Sequence, residues 1–284
     1  MSIERVFVAG AGLMGHGIAQ VHAAIGKQVT LYEPELGRAR AGRDRIAGNL
    51  ERAVAKGRIT QAEREATLAR VTATDELSSA RAADLVIEAV FEDELVKTAL
   101  WRSLDAIAPA AAIFASNTSS ISIDRLAAAT SEARRPQFLG MHFFSPVPVM
   151  PLVEIVRGSA TDATTLASAR AFAESLGKRT VESADRPGFI VNRMLMPLLA
   201  EAMRVLEEGT ATAADIDAGA KLGLNHPMGP LELADFIGLD VCLGIMRVLE
   251  AELGPAHAPP ASLVALVEAG HLGRKTGHGF HLYA

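Results

Sequence analysis

The chain has 284 residues, 49% of them hydrophobic, and a formal net charge of −5. That length suggests about two domains that bury their own cores, and the acidic balance argues against nucleic acid as a partner. One cysteine, Cys242, rules out an intrachain disulfide and a cysteine cluster with zinc spacing, and no apolar run reaches the roughly 18 residues that a membrane helix needs.

The first predicted strand, Arg5-Val6-Phe7-Val8-Ala9, starts so early that no signal peptide is expected, and a reducing, cytoplasmic location follows as the expectation. It runs into Gly10-Ala11-Gly12-Leu13-Met14-Gly15 and then a helical pattern through Ile25. Strand, G-x-G-x-x-G and helix in that order form a dinucleotide fingerprint. Gly10 suits the tight turn, Gly12 lets the backbone approach a pyrophosphate, and Gly15 allows close helix–strand packing. The helix start offers its N–H groups and positive dipole end to phosphate. A second strand, Val29-Thr30-Leu31-Tyr32, ends at Glu33, where a ribose-binding carboxylate is expected. A carboxylate there repels a 2′-phosphate, so NAD is favoured over NADP.

Further strands are predicted at Asp84-Leu85-Val86-Ile87-Glu88, Ala112-Ile113-Phe114-Ala115, Gln137-Phe138-Leu139-Gly140-Met141, Leu152-Val153-Glu154-Ile155-Val156 and Arg179-Thr180-Val181. Helical patterns at 35–56, 61–69, 93–107 and 163–176 separate most of them. This alternation predicts an α/β fold, a doubly wound and mostly parallel sheet of the Rossmann type, over residues 1–186. After Pro187-Gly188 the patterning is helical, giving an all-helical domain over 187–284. Its helices are predicted at 189–208, 212–221, 230–253 and 262–269. Thr212 and Asp215 are spaced like a capping box. The 230–253 segment is apolar nearly all round, so it is expected either at the centre of its domain or against a second copy of the chain, with a homodimer favoured.

A dinucleotide site implies hydride transfer, which needs a group to take or give a hydroxyl proton. Eight histidines are candidates: His16, His22, His142, His226, His257, His271, His278 and His281. His278 and His281 form at most a weak i, i+3 pair, and no metal site is expected. His142 stands apart because it follows a predicted strand, and ligands in such sheets bind beyond the strands' carboxyl ends. Glu154 sits inside an otherwise apolar strand, so it needs a donor or cationic partner. His142–Glu154 is the candidate pair. The stretch Ser116-Asn117-Thr118-Ser119-Ser120 is suited to binding phosphate, ribose or a carbonyl, or to capping a helix. Asn192 opens the helical region.

Taken together, these motifs resemble the short-chain L-3-hydroxyacyl-CoA dehydrogenase family, and within it the bacterial 3-hydroxybutyryl-CoA dehydrogenases. The resemblance rests on the glycine motif at 10–15, Asp84-Leu85-Val86-Ile87-Glu88-Ala89, Ser-Asn-Thr-Ser-Ser at 116–120, and His142-Phe143-Phe144. Pro187-Gly188-Phe189-Ile190-Val191-Asn192-Arg193, His226-Pro227-Met228-Gly229-Pro230-Leu231 and the tail from Leu272 to Phe280 extend it over essentially the whole chain. It implies an NAD-dependent oxidoreductase that interconverts (S)-3-hydroxyacyl-CoA and 3-oxoacyl-CoA thioesters of short chain length. It also implies that His142 is the acid–base group, Glu154 its orienting carboxylate, and Ser119 and Asn192 the groups that position the substrate. Glu33, Glu92, Lys97, Ser145 and Lys275 then join Gly10, Gly12, Leu13, Met14 and Gly15 as cofactor contacts. Arg52 and Lys56 fall where basic residues meet coenzyme A phosphates, and Arg38, Arg45, Arg52 and Lys56 share one helix face by their spacing.

Two positions depart from the family pattern: Ser145 stands where Asn is usual, and Pro151 where Lys is frequent. Three other functions stay open on the residues alone. They are a 3-hydroxyadipyl-CoA dehydrogenase, a dehydrogenase of free hydroxy acids, and a nucleotide-binding protein without turnover.

Overall fold

The computed structural model describes residues 2–283, in two compact units, one ending at Arg186 and the other beginning at Pro187. The first unit runs β1 (Arg5–Ala9), α1 (Leu13–Ala24), β2 (Gln28–Tyr32), α2 (Leu36–Ala55), α3 (Gln61–Ala69) and β3 (Val71–Thr74). It continues through β4 (Leu85–Glu88), α4 (Glu94–Asp105), β5 (Ile113–Ser116), α5 (Ile123–Ala127), β6 (Phe138–Phe143), β7 (Leu152–Arg157), α6 (Ala163–Ser175) and β8 (Arg179–Ala184). The strands form one eight-stranded sheet in the order β3-β2-β1-β4-β5-β6-β7-β8. Every pairing is parallel except β6 with β7. The mostly parallel α/β architecture expected from the sequence is the one observed.

β4, β5 and β6 are buried at every residue, so both of their faces are covered, which is why they read as unbroken apolar runs rather than alternating ones. The helices between them start on local signals. Asp93 caps α4 by accepting from Val96 N–H, Asp162 caps α6 by accepting from Thr165 N–H, and Thr60 with Glu63 forms a complete capping box on α3. β3 escapes prediction because Val-Thr-Ala-Thr is short and partly polar. It is an edge strand with one neighbour, and only Val71 is buried.

The strand directions decide where chemistry can sit. β1 to β6 all point the same way, so their carboxyl ends share one edge of the sheet. β7 and β8 run the other way and bring their amino ends to that same edge. The strand order reverses about β1, flanked by β2 and β4, and a reversal of this kind opens a crevice at the carboxyl edge.

The second unit contains α7 (Val191–Glu207), α8 (Ala213–Gly223), α9 (Pro230–Ile237), α10 (Leu239–Leu253) and α11 (Ala261–Glu268). Thr212 caps α8, its hydroxyl accepting from Asp215 N–H. The single helix predicted over 230–253 is in fact two. Gly238, at φ 107°, ends α9 and starts α10, a conformation that side chains other than glycine rarely adopt. The break explains the pattern: two helices with different inward faces look apolar all round when read as one. Leu231, Leu239, Leu243, Met246 and Leu249 pack with Met196, Leu199 and Met203 into one core, while Phe236 and Val241 stay half exposed.

Two buried carboxylates organise this unit. Asp217 on α8 accepts from Leu231 N–H (2.8 Å) and Glu232 N–H (3.0 Å), which satisfies the first turn of α9, and pairs with His281 Nε2 at 2.7 Å. Asp235 on α9 accepts from Phe280 N–H, His281 N–H and the Tyr283 hydroxyl, each at 2.9 Å. Burial, then the bond to Asp235, pushes the Tyr283 phenol up to about 12. A Cβ at Gly229 would collide with Asp217, and one at Gly279 with Asp235. The motifs around His226 and in the tail therefore build carboxylate sockets. His278 does not pair with His281. Its ring lies against that of His271, with centroids 3.8 Å apart and the planes inclined by 40°. Among the described residues no group of three or more His, Cys, Asp or Glu could hold a metal, and no helix is long and apolar enough to cross a membrane.

Candidate active site

The three glycines after β1 divide their labour. Gly10 takes φ 100°, donates to Tyr32 O at 2.9 Å, and has no room for a Cβ against Ala89 O. A Cβ on Gly15 would collide with the Gly10 carbonyl. Gly12 differs: it is exposed, has φ −68°, and a Cβ there would meet nothing within 4 Å. Gly10 and Gly15 are thus required by packing, whereas the space beside Gly12 is open to a ligand. Glu33, at the end of β2, reaches this loop, where its Oε1 accepts from Ala11 N–H at 2.7 Å.

His142 and Glu154 are direct cross-strand partners in the β6–β7 ladder, the one antiparallel pairing in the sheet. Directly paired residues share a face of the sheet, and the antiparallel return of β7 along β6 brings these two, only twelve residues apart, opposite each other. His142 Nδ1 lies 2.6 Å from Glu154 Oε2, with Glu154 fully buried and His142 6% exposed. A carboxylate on Nδ1 holds a proton there and makes Nε2 the basic nitrogen of the neutral ring. The Phe144 ring lies over the imidazole at 4.5 Å between centroids.

A second cluster occupies the carboxyl ends of β4 and β5. Lys97, only 1% exposed, donates to Glu88 Oε1 at 2.5 Å and pairs with Glu92 Oε2 at 3.1 Å. Ser116 Oγ donates to Glu88 Oε2 at 2.7 Å. Glu92 Oε1 accepts from the Thr118 hydroxyl (2.6 Å), Ser119 N–H (2.8 Å) and Ser120 N–H (3.1 Å), and lies 3.2 Å from Ser119 Oγ. Burial pushes the Glu88 carboxyl up, against the pull of Lys97 and Ser116. For Glu92 desolvation also acts upward, but the Lys97 charge and the donors on the 118–119 loop together hold it below the ordinary carboxylate range. Asn117 ties this loop to the histidine strand, its Oδ1 accepting from Phe143 N–H at 2.9 Å. The sequence singles out the 116–120 stretch as a ligand-binding or capping segment, but not that Ser116 and Thr118 serve the acids Glu88 and Glu92, or that Asn117 serves the histidine strand. The one available signal was an acid ending an apolar strand, with a lysine nine residues on.

The basic helix face is only partly assembled. An open groove of about 550 Å³ is lined by His16, Asp44, Arg45, Gly48, Asn49 and Arg52 among others. Arg38 lies outside that lining and pairs with Glu35 at 3.6 Å, and Lys56 caps the end of α2 rather than continuing it. Ser145 and Pro151 are exposed, in the connection between β6 and β7. Two candidates belong to the second unit. Asn192 is buried in the first turn of α7, and Lys275 donates to Asp240 at 2.5 Å from a 3₁₀ turn at Arg274–Thr276.

Residues 5–186 match the NAD binding domain of 3-hydroxyacyl-CoA dehydrogenase, and residues 188–283 match the C-terminal domain of the same enzyme. The chain belongs to the 3-hydroxyacyl-CoA dehydrogenase family. It is 49% identical over 282 residues to a 3-hydroxybutyryl-CoA dehydrogenase of Bradyrhizobium diazoefficiens, covering 99% of this chain and 96% of that one. The crystal structure of FadB2 from Mycobacterium tuberculosis is similar along the full length of both chains, with a TM-score of 0.97 and 47% identity. That of the (S)-3-hydroxybutyryl-CoA dehydrogenase PaaH1 from Ralstonia eutropha is similar over the full length of both chains too, at 0.95 and 45%. The glycine loop, the His142–Glu154 pair and the Glu88–Lys97 cluster all fall in the part matched to this family's NAD binding domain.

Proposed function

We propose that the protein catalyses the NAD-dependent interconversion of (S)-3-hydroxyacyl-CoA and 3-oxoacyl-CoA thioesters of short acyl chain, as 3-hydroxybutyryl-CoA and acetoacetyl-CoA. The observation that carries this is the buried His142–Glu154 pair, placed on the same sheet edge as the open glycine loop. The family and the names of its relatives agree with it.

The residues around Gly12 suit NAD: an open approach to the backbone, a helix amino terminus for the pyrophosphate, and Glu33 for the adenosine ribose. NAD, when bound, supplies the hydride chemistry. In oxidation His142 Nε2 takes the 3-hydroxyl proton as C3 becomes a carbonyl. In reduction the imidazolium returns that proton to the forming alkoxide. Glu154 keeps the ring oriented and compensates its charge. We assign Ser119, held by Glu92, and Asn192 to orienting the 3-oxygen and the thioester. Lys97, Ser145 and Lys275 are assigned to the cofactor, and Arg52 with Lys56 to the coenzyme A phosphates. Positioning and electrostatics then carry most of the protein's contribution.

We also assign the pairing of two copies to the helical unit, where Leu222, Leu224, Phe236 and Val241 remain exposed. Light scattering is expected to give twice the chain mass.

The test is a substrate panel: NADH oxidation with acetoacetyl-CoA, longer 3-oxoacyl-CoAs, a dicarboxylic 3-oxoacyl-CoA and free acetoacetate. Acetoacetyl-CoA should give the highest kcat/KM, and NADPH should replace NADH poorly because Glu33 repels a 2′-phosphate. Turnover of free acetoacetate at a comparable kcat/KM, or a preference for NADPH, would overturn the assignment.

A further inference from the structure

Lys178 immediately precedes β8, on the sheet edge that carries the glycine loop and His142. The residue is buried, 8% exposed. Burying an ammonium is costly, so it calls for a reason beyond filling space. Its Nζ donates to two main-chain carbonyls, Val147 O at 2.6 Å and Met150 O at 2.8 Å. The next residue continues the grip, with Arg179 N–H donating to Pro151 O at 2.7 Å. All three acceptors lie in the connection between β6 and β7. That connection leaves His142 by way of Phe143 and Phe144 and returns to Glu154 by way of Leu152.

The same segment touches the nucleotide-binding helix on its other side. Val147 is buried, and a Cβ placed on Gly17 of α1 would come within 2.9 Å of Val147 Cβ. The 145–150 segment therefore spans from the first turns of α1 to the end of the histidine strand, with the Lys178 ammonium fixing its carbonyls. Hydride transfer demands that the reacting carbons sit about 3–3.5 Å apart while His142 reaches the 3-oxygen. A nicotinamide ring poised for that transfer would lie beside the end of β6, next to this segment.

We propose that Lys178 is a positioning residue for the nicotinamide end of the cofactor, acting through the 145–150 segment that it holds against α1. It touches neither substrate nor cofactor. Removing its donors leaves the Val147 carbonyl unsatisfied and releases the segment, while the glycine loop and Glu33 stay as they are. The assignment rests on the dehydrogenase reading above.

Lys178→Met keeps the stem and removes the donors, and Lys178→Arg keeps donors. Gly17→Ala pushes the same segment from the opposite side with Lys178 intact. For each, KM for NADH and kcat are measured with acetoacetyl-CoA, and Kd values for NADH and ADP-ribose by calorimetry. ADP-ribose carries the adenosine and pyrophosphate but no nicotinamide. Lys178→Met and Gly17→Ala should each raise the NADH Kd and KM about tenfold and cut kcat/KM by up to about 10²-fold, the scale of an ångström-level misplacement. ADP-ribose affinity should stay within about twofold, and Lys178→Arg should recover part of the loss. Unchanged NADH binding with only a lower Tm would make Lys178 a structural staple and overturn the proposal. Equal losses of NADH and ADP-ribose affinity would overturn it too, as damage to the whole nucleotide domain. If Lys178→Met does not fold, Gly17→Ala and Lys178→Arg decide by the same criteria. A wild-type protein that binds NADH but does not oxidise it with any 3-oxoacyl-CoA refutes the dehydrogenase reading instead, and the two Kd values still report on the segment.

Discussion

Gly12→Ala and Gly15→Ala should fail in opposite ways, although both remove a glycine from one six-residue loop. At Gly12 the backbone already has φ −68°, and the added methyl meets nothing within 4 Å. Losing glycine's freedom in the unfolded chain should stabilise by about 0.4–1 kcal/mol. Gly12 is also the N-cap of α1, where alanine is the poorer residue by a similar amount, up to about 1 kcal/mol. The two nearly cancel, so Tm should stay within about 3 °C. Cofactor affinity should not survive. A pyrophosphate oxygen accepting from this backbone must come within about 3 Å, and a methyl group there forbids it. Losing one or two hydrogen bonds to a charged group costs about 1.5–3 kcal/mol each, which is at least about tenfold and up to about 10⁴-fold in NADH Kd. At Gly15 the methyl would strike the Gly10 carbonyl, so α1 must shift from β1, at the overpacking cost of about 1–3 kcal/mol. Thermal unfolding and NADH calorimetry on both variants separate the roles. Normal NADH affinity in Gly12→Ala, or an unchanged Tm in Gly15→Ala, would refute the division of labour.

Arg52→Ala combined with Lys56→Ala should raise the acetoacetyl-CoA KM about three- to tenfold and flatten its salt dependence, with NADH Kd unchanged, because exposed ionic contacts are individually weak and screened. His22 should contribute an acid-sensitive component to stability. It is fully buried between Phe143 and Phe172, and desolvation, only partly offset by its bond to Ile18 O, lowers it from 6.5 to about 4. A depressed histidine leaves the fold at full strength above pH 6.5 and withdraws stability as pH falls from 6.5 toward 4, by about 3 kcal/mol in all. Urea unfolding from pH 4 to 7 should show a shallower decline for His22→Leu than for wild type. Parallel profiles would mean that His22 does not titrate on unfolding.

What the sequence revealed and what it hid follow from the range of the interactions. The β1–α1–β2 unit was readable because the glycine spacing, the apolar strands and Glu33 are local signals. The His142–Glu154 pair was readable because an acid inside an apolar strand demands a partner, although only the antiparallel β6–β7 register shows why those two residues meet. The buried Glu88–Lys97–Ser116 cluster and the Lys178 clamp were not. They depend on which strand ends share an edge, and a lysine nine residues after a glutamate looks like any exposed helix residue. The 230–253 segment misled for the converse reason: one glycine at φ 107° changes the inward face, and the periodicity was averaged over two helices. Motifs carry no labels either. Gly229 and Gly279 sit in stretches matching the family pattern, yet their contacts are with Asp217 and Asp235, inside the helical core.

The central claim is that His142 moves the proton at the 3-oxygen while the cofactor is held elsewhere in the same unit. It is tested most directly by turnover of saturating acetoacetyl-CoA and NADH by wild type and His142→Gln, with NADH Kd measured on both. Loss of one general acid–base group should lower kcat about 10²–10⁴-fold while Kd stays within about twofold. A His142→Gln protein that oxidises NADH at close to the wild-type rate would contradict the account.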